Sequence, residues 1–194
     1  MQVQRSIALM PTRVAGPVKA GGGETAQAQA PAQQMAAQGS DTLNQMNQLL
    51  GNEQDLARLN RVFLASPGML RFATGGGIRR AITSFLTGIP KDQLIQYGQM
   101  ADMMRVQGMQ PQWAHLFVKA GIKNPGELSK YAGDDWSAQI QRGIIWGAMA
   151  AKAIESAGNG RNYSPPSYDQ IKTLAGNSVG LGSVINLGVP QTQG

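Results

Sequence analysis

The residues that enzymes most often use for acid–base or nucleophilic chemistry are scarce in this chain. His115 is the only histidine among 194 residues, and there is no cysteine. A cysteine–histidine pair, a thiolate metal site and a site with several histidine ligands are therefore excluded. His115 lies between Ala114 and Leu116 in a helical pattern, and no nucleophile elbow is present. We expect it to be a partly buried or surface histidine without a catalytic role.

The acidic residues provide no better candidates for catalysis. Asp134 and Asp135 form the only adjacent pair among eleven acidic residues, and a helix N-cap explains both. Asp102 and Arg105 stand three residues apart, a spacing that lets them pair as a brace on one helix face. We therefore predict that the protein is not an enzyme, with no catalytic residue, no metal ligand and no cofactor.

The stretch 91–133 has the clearest pattern of secondary structure in the chain. Its first helix ends at Gly108, and its second helix runs from Pro111 to Gly121. The third occupies 124–133 and begins with an asparagine N-cap, a proline in the first turn and a glutamate three residues after the cap. Glycine is the residue most often found where a helix ends in the left-handed conformation. The pattern predicts three short helices joined by two tight turns.

This stretch resembles the helix-hairpin-helix modules found in a widespread family of bacterial proteins of unknown function. The positions that match the pattern of those modules are Met100, Ala101, Asp102, Met104, Arg105, Gly108, Trp113, Ala114, Leu116, Ala120, Gly121, Ile122, Glu127 and Leu128. A weaker similarity over 79–97 extends the resemblance to about residues 55–142. Gln110 stands where the modules have the glycine of the hairpin. The resemblance implies a fold of tandem helix hairpins.

The sequence predicts a mainly α fold: a compact bundle of short helices with helix-hairpin-helix units, flanked by extended N- and C-terminal arms. Residues 1–39 are rich in glycine, alanine, glutamine and proline, which is typical of an extended or disordered arm; the alternative is an arm ordered along a neighbouring subunit. The helical core is expected at 40–158, with its first helix beginning at Ser40 or Asp41. Residues 159–194 are expected to form a linker, a short helix and an apolar extended arm.

The longest predicted helix runs from about Asp135 to Ala157. Its apolar stripe includes Trp136, Ile140 and Ile144, and we expect this helix to be the spine of the bundle. The C-terminal arm is apolar and β-branched, so it must be buried somewhere. It either folds back on its own bundle or adds to another chain as a strand or plug.

The protein is basic, with a net charge of +6, but only 14% of its residues are charged. Between Arg58 and Lys91 there are six basic residues and no acidic one. A glycine run at 75–77 precedes Arg79 and Arg80, where backbone N–H groups could face an anion, but it lacks the ending of a nucleotide-binding P-loop. No apolar run approaches the ~20 residues of a membrane span, and the N-terminus does not resemble a signal peptide. We expect a protein of the cytoplasm, or part of an assembly built there.

Two functions fit these features. The first is a non-enzymatic structural or adaptor subunit of a larger assembly, whose partners are copies of itself or neighbouring subunits. The residues predicted to contact such partners are Val3, Ile7, Leu9, Trp146, Val179, Leu181, Val184, Ile185, Leu187 and Val189. The second is nucleic-acid binding without sequence specificity, through the turns of the hairpins. The residues predicted to contact phosphate are Arg79, Arg80, Arg105, Gly108, Gln110, Lys119, Gly121, Lys123 and Lys130.

Overall fold

The computed structural model of the chain describes residues 30–185, and the side chains of residues 40–185. Within that range there are nine α-helices and no strand, which confirms the predicted mainly α fold. The helices are α1 (Ala30–Leu50), α2 (Glu53–Arg61), α3 (Pro67–Thr74), α4 (Gly77–Thr87), α5 (Lys91–Met103), α6 (Pro111–Lys119), α7 (Pro125–Leu128), α8 (Trp136–Gly158) and α9 (Tyr168–Asn177). A single 3₁₀ turn, Ser129–Tyr131, follows α7. None of these helices is both long enough and apolar enough to cross a bilayer.

The first helix begins earlier than the sequence predicted. α1 begins at Ala30, so the expected start at Ser40 or Asp41 was wrong. Alanine and glutamine are good helix formers, and Pro31 lies in the first turn, where its missing N–H costs nothing. The contacts predicted for Val3, Ile7 and Leu9 lie outside the described residues.

Side-chain caps fix several helix starts. The predicted N-cap at Asn124 is confirmed, and Ser167 caps α9 in the same way: each side chain accepts a hydrogen bond from a backbone N–H of the first turn. Ser66 accepts a hydrogen bond from the N–H of Met69 at 3.3 Å and caps the start of α3. Asp135 is the N-cap residue of α8, but its side chain makes no capping hydrogen bond.

The central helix of the bundle is α5, which contacts α1, α3, α4 and α6. Leu94, Met100 and Met103 are fully buried. Gly98 allows α3 to lie against α5, because a Cβ at this position would come within 2.8 Å of the Cβ of Thr74. The bundle is therefore organised around the helix that carries the first half of the predicted hairpins.

The expectation that α8 is the spine was wrong. α8 contacts α6, α9 and the 3₁₀ turn, and Arg142, Ile145 and Met149 are buried on its face toward the bundle. That face is turned inward because Nη1 of Arg142 donates hydrogen bonds to the carbonyls of Tyr131 and Gly133, at 2.7 and 2.5 Å. The opposite face, with the predicted stripe, is exposed.

The segment after α9 folds back on the bundle as far as residue 185, which is the first of the two predicted alternatives. The N–H of Val184 donates to Oδ2 of Asp102 at 3.2 Å, and Nη1 of Arg105 donates to the carbonyl of Gly182 at 2.8 Å. Ile185 is buried. The remaining apolar residues of the predicted arm, Leu187 and Val189, lie outside the described residues.

Candidate functional site

The turn between α5 and α6 is the first place where phosphate contacts were predicted. Gly108 has φ +84, a left-handed conformation that glycine adopts readily, and Gln110 is the exposed N-cap residue of α6. The N–H of Met109 donates within the turn. Nδ2 of Asn177 donates to the carbonyl of Gln107 at 3.0 Å. The turn is thus closed on itself and attached to the end of α9.

The turn between α6 and α7 uses its own N–H groups more fully. Gly121 has φ +102, and the N–H groups of Gly121 and Ile122 donate to carbonyls of α6. The N–H of Lys123 donates to Oε2 of Glu127 at 2.7 Å, so a carboxylate lies where a phosphate would have to bind. The side chains of Lys123 and Lys130 are exposed.

The other cations predicted to contact phosphate lie on different elements and most of them have protein partners. The guanidinium of Arg79 lies over the ring of Phe72, 4.1 Å from its centroid, and Arg80 on the same helix is buried. Nζ of Lys119 donates to Oε1 of Gln96 at 2.9 Å.

Arg105 binds the C-terminal segment through the carbonyl of Gly182. Its Nη1 lies 3.1 Å from Oδ1 of Asp102, whose carboxylate is fully buried. Because Asp102 also accepts the N–H of Val184 and Arg105 donates to Gly182, the pair joins α5 to the last described residues. The predicted brace between Asp102 and Arg105 is confirmed. Of the predicted partner contacts in this segment, Val179 and Val184 are exposed, whereas Leu181 packs against the core.

A polar cleft of about 970 Å³ lies between α2, α5, α6 and α8. At its wall, the buried carboxylate of Asp55 accepts hydrogen bonds from the hydroxyl of Tyr97 at 2.7 Å, from Nε2 of Gln93 at 2.6 Å and from Nδ2 of Asn52 at 3.0 Å. Burial, and then the negative charge and hydrogen bond of Asp55, raise the pKa of Tyr97 far above its usual range. Tyr97 therefore remains a neutral donor, and the network satisfies a buried charge.

His115 also lines this cleft. Its Nδ1 lies 2.9 Å from the carbonyl of Leu49; a carbonyl can only accept, so Nδ1 carries the proton. Burial lowers the pKa of His115, and the charges of Lys119 and Arg161 lower it further. Between residues 30 and 185, no cluster of three histidine, aspartate or glutamate side chains could hold a metal ion.

The outer face of α8 is the first of two bare apolar surfaces. It consists of Trp136, Ile140, Ile144, Gly147, Ala151 and Ile154, all exposed and all on one side of the helix. Trp136 and Ile154 are each 75% exposed, and Trp146, a predicted partner contact, is 41% exposed at the edge of the buried face. The only charged residue from 136 to 151 is Arg142, which points inward.

The second bare surface belongs to α4 and was missed by the sequence analysis. α4 buries the polar side chains of Arg80, Thr83 and Thr87. Its exposed apolar residues are Ile78, Ile82, Phe85 and Leu86. Their spacing along one helix face was a usable signal, but the same spacing describes a stripe that faces a core.

These features define a small helical domain with glycine turns at its centre. Polar side chains in its cleft form hydrogen bonds with one another, and α4 and α8 each have an exposed apolar face. Residues 51–144 match the family described as a domain of unknown function, DUF4332. The match covers α2 to α7 and the first part of α8. The match agrees with the predicted similarity to an uncharacterised family, and the resemblance to helix-hairpin-helix modules stays a prediction. Comparison with curated proteins finds no match, and neither does comparison with solved structures.

Proposed function

We propose that this protein is a non-enzymatic structural subunit of a larger protein assembly, and that the outer face of α8 binds a second copy of the chain. The observation that carries the proposal is the continuous apolar stripe on that face, without a charged side chain from Trp136 to Ala151. Single exposed apolar residues are common on proteins. A stripe that continues along a helix is typical of an interaction surface.

The stripe presents large apolar side chains of the kind that stable contacts bury. A standard interface buries about 800 Å² on each partner, and a tryptophan side chain contributes about 150–250 Å² of that. Trp136 is exposed on this side of α8, together with Ile144 and Ile154. Burying each large apolar side chain stabilises an interface by roughly 1.5–3 kcal/mol before the cost of association.

The order of large and small residues favours a second copy in antiparallel orientation. The N-terminal half of the stripe has Ile140 and Ile144, and the C-terminal half has Gly147 and Ala151. With a two-fold axis between residues 145 and 146, Ile140 of one copy faces Ala151 of the other. Ile144 then faces Gly147. Each large side chain enters the space left by a small one, as a self-complementary interface requires. A parallel pair would place isoleucine against isoleucine and glycine against glycine.

The central hairpins support a structural role in this proposal. In helix-hairpin-helix modules that bind DNA, backbone N–H groups of the turn hold a phosphate. Here the N–H groups of Gly121, Ile122 and Lys123 donate inside the chain, and the Glu127 carboxylate lies beside them. A carboxylate repels phosphate, so these contacts favour protein assembly over the nucleic-acid alternative.

Cysteine cross-linking tests the proposal cleanly, because the chain has no cysteine of its own. Chains carrying Ile140→Cys are mixed with chains carrying Ala151→Cys and oxidised. We expect the mixed disulfide to exceed either disulfide between identical chains. Preferential cross-linking of Ile140→Cys to itself would contradict the antiparallel pair.

The size of the full chain in solution provides the second measurement. We expect a dimer or larger species for the parent chain and a monomer for the Ile140→Ser, Ile144→Ser double variant. The matched control, Ile78→Ser with Ile82→Ser on α4, should keep the parent size. A monomeric parent chain that binds random duplex DNA in a salt-sensitive manner would support the nucleic-acid alternative instead.

A further inference from the structure

We propose that α3 and α4 form a second docking surface, which binds an anionic lipid membrane from one side without crossing it. We call it the α3–α4 surface and define it by Phe72, Ile78, Ile82, Phe85 and Leu86. All five are exposed, and contact between α3 and α4, including that of Arg79 with Phe72, holds the two helices together.

The amphipathic character of α4 is inverted relative to a helix that covers a core. Its inner face buries an arginine and two threonines, and its outer face exposes two isoleucines, a phenylalanine and a leucine. A surface helix normally turns its apolar stripe inward and its polar side to water. The inner polar side is stabilised by specific contacts; the Thr87 hydroxyl, for example, donates to the carbonyl of Thr83 at 2.7 Å. The outer apolar face is left for an apolar environment outside the chain.

Phenylalanine is concentrated on this part of the molecule. The chain has four phenylalanines, and only Phe117 belongs to the core. Phe72 is 60% exposed, Phe63 is 87% exposed and Phe85 is 88% exposed. Phe63, in the connection between α2 and α3, has φ +59, a conformation that bulky residues rarely adopt and that is a source of backbone strain. The backbone thus holds an aromatic ring outward at some energetic cost.

The chain segment that contains the α3–α4 surface carries charge of one sign, up to the exposed Asp92 that follows Lys91. From Arg58 to Lys91 there are six cations and no anion. Arg58 is paired with Asp55, at 3.3 Å, and Arg80 is buried, but Arg61, Arg79 and Lys91 are exposed. Exposed cations beside exposed phenylalanine, isoleucine and leucine are the combination found in helices that lie in a membrane interface.

A membrane fits this surface better than a folded protein partner does. The five side chains are 55–88% exposed, whereas the strongest protein contacts lie in well-packed pockets with matched polar groups at the rim. The exposed residues of α4 are apolar or cationic: Gly77, Ile78, Arg79, Ile82, Phe85 and Leu86. Negatively charged headgroups complement Arg61, Arg79 and Lys91, and the acyl boundary accepts Phe85 and Ile82. A helix of 11 residues extends about 16 Å, so it would lie along the surface.

Sedimentation of the full chain with lipid vesicles tests the proposal. We expect binding to vesicles of phosphatidylcholine mixed with phosphatidylglycerol, and much weaker binding to phosphatidylcholine alone. Raising the salt from about 0.1 M to about 0.5 M should weaken binding, because it shortens the range of the electrostatic attraction. Arg79→Gln should lower the partition coefficient about five-fold, the effect of one basic residue near an anionic surface.

The contribution of the apolar side chains to vesicle binding is measured with a double variant, Ile82→Ser and Phe85→Ser. These exposed residues contribute little to the fold, so the thermal midpoint should be unchanged while the partition coefficient falls about ten-fold or more. The control variant has Trp136→Ser and Ile140→Ser on the outer face of α8. It should bind vesicles as the parent chain does.

Three results would overturn the proposal. The first is no binding to the anionic vesicles at low salt, and the second is unchanged binding after Ile82→Ser and Phe85→Ser. The third is a change of oligomeric state in that same variant with no effect on vesicles, which would assign the surface to a protein contact. None of these results bears on pairing through α8, which is tested separately by cross-linking.

Discussion

Replacing Tyr97 with phenylalanine removes one hydroxyl from the wall of the polar cleft and leaves the ring in place. That hydroxyl donates to Oδ2 of Asp55 at 2.7 Å, and both residues are buried, at 3% exposure each. Gln93 donates to the tyrosine oxygen as well, at 2.7 Å. The substitution therefore leaves a buried carboxylate with one donor fewer and an amide with one acceptor fewer.

The expected loss of unfolding free energy follows from these contacts. A hydrogen bond to a charged group contributes about 1.5–3 kcal/mol. Gln93, Asn52 and Arg58 still donate to Asp55 after the substitution, which places the loss in the lower part of that range, at about 1.5–2 kcal/mol. If Tyr97 and Asp55 were instead a strained active-site pair, removing the hydroxyl would be neutral or stabilising.

Urea unfolding at neutral pH measures the loss directly, provided that the slope with denaturant is unchanged. The matched control is Tyr168→Phe, whose hydroxyl donates to the carbonyl of Gln139 at 3.1 Å from an exposed position. The control should lose about 0.5 kcal/mol or less. Equal losses in the two variants would refute the reasoning, because the burial of Asp55 would then make no difference.

The same hydroxyl produces a dependence on alkaline pH. Folding raises the pKa of Tyr97, chiefly through burial, so the folded chain holds this proton more tightly than the unfolded chain. The contribution of this proton to the free energy of unfolding is complete below the ordinary tyrosine pKa of about 10 and is lost as the pH rises above that value. Tyr97→Phe should flatten the fall in stability above about pH 10, and an unchanged profile would contradict the assignment.

Two further substitutions test the packing of α5 and the state of the histidine. Gly98→Ala places a methyl group against Thr74 and should cost about 1–3 kcal/mol of unfolding free energy. Gly176→Ala, with open space around its Cβ position, should be neutral or slightly stabilising, and similar behaviour of both glycines would disprove the close approach of α3. Because burial lowers the pKa of His115 from 6.5, the thermal midpoint should fall as the pH drops below 6.5, where the unfolded chain binds the proton first. His115→Gln should abolish that fall between about pH 6.5 and 5; persistence of the fall in this variant would exclude His115 as its cause.

Much of the helical architecture was predictable because it depends on neighbouring residues. The side-chain acceptors of Asn124 and Ser167 bind N–H groups two or three residues away, so the sequence alone locates those helix starts. Gly108 and Gly121 mark turns for the same local reason, through positive φ. The start of α1 was misjudged because composition resembling a disordered arm also has high helix propensity.

The orientation of the apolar faces could not be predicted in this way. From its sequence, α8 could pack on the core through its apolar stripe or through the face that contains Arg142. In the structure the Arg142 face packs inward, and its guanidinium donates to the carbonyls of Tyr131 and Gly133, just before α8. On α4 the stripe of Ile78, Ile82 and Phe85 has the spacing of a core face, and yet it is exposed.

The sequence by itself determined that this protein is mainly helical, where several of its helices begin, and which chemistries its composition excludes. These properties follow from local hydrogen bonds and from which residue types are present. Only the tertiary structure decided that α5 is the central helix and that α4 and α8 turn apolar faces outward. Periodicity shows that a helix has an apolar side. Whether that side faces the core also depends on hydrogen bonds between residues far apart in the chain, which the periodicity of one helix does not reveal.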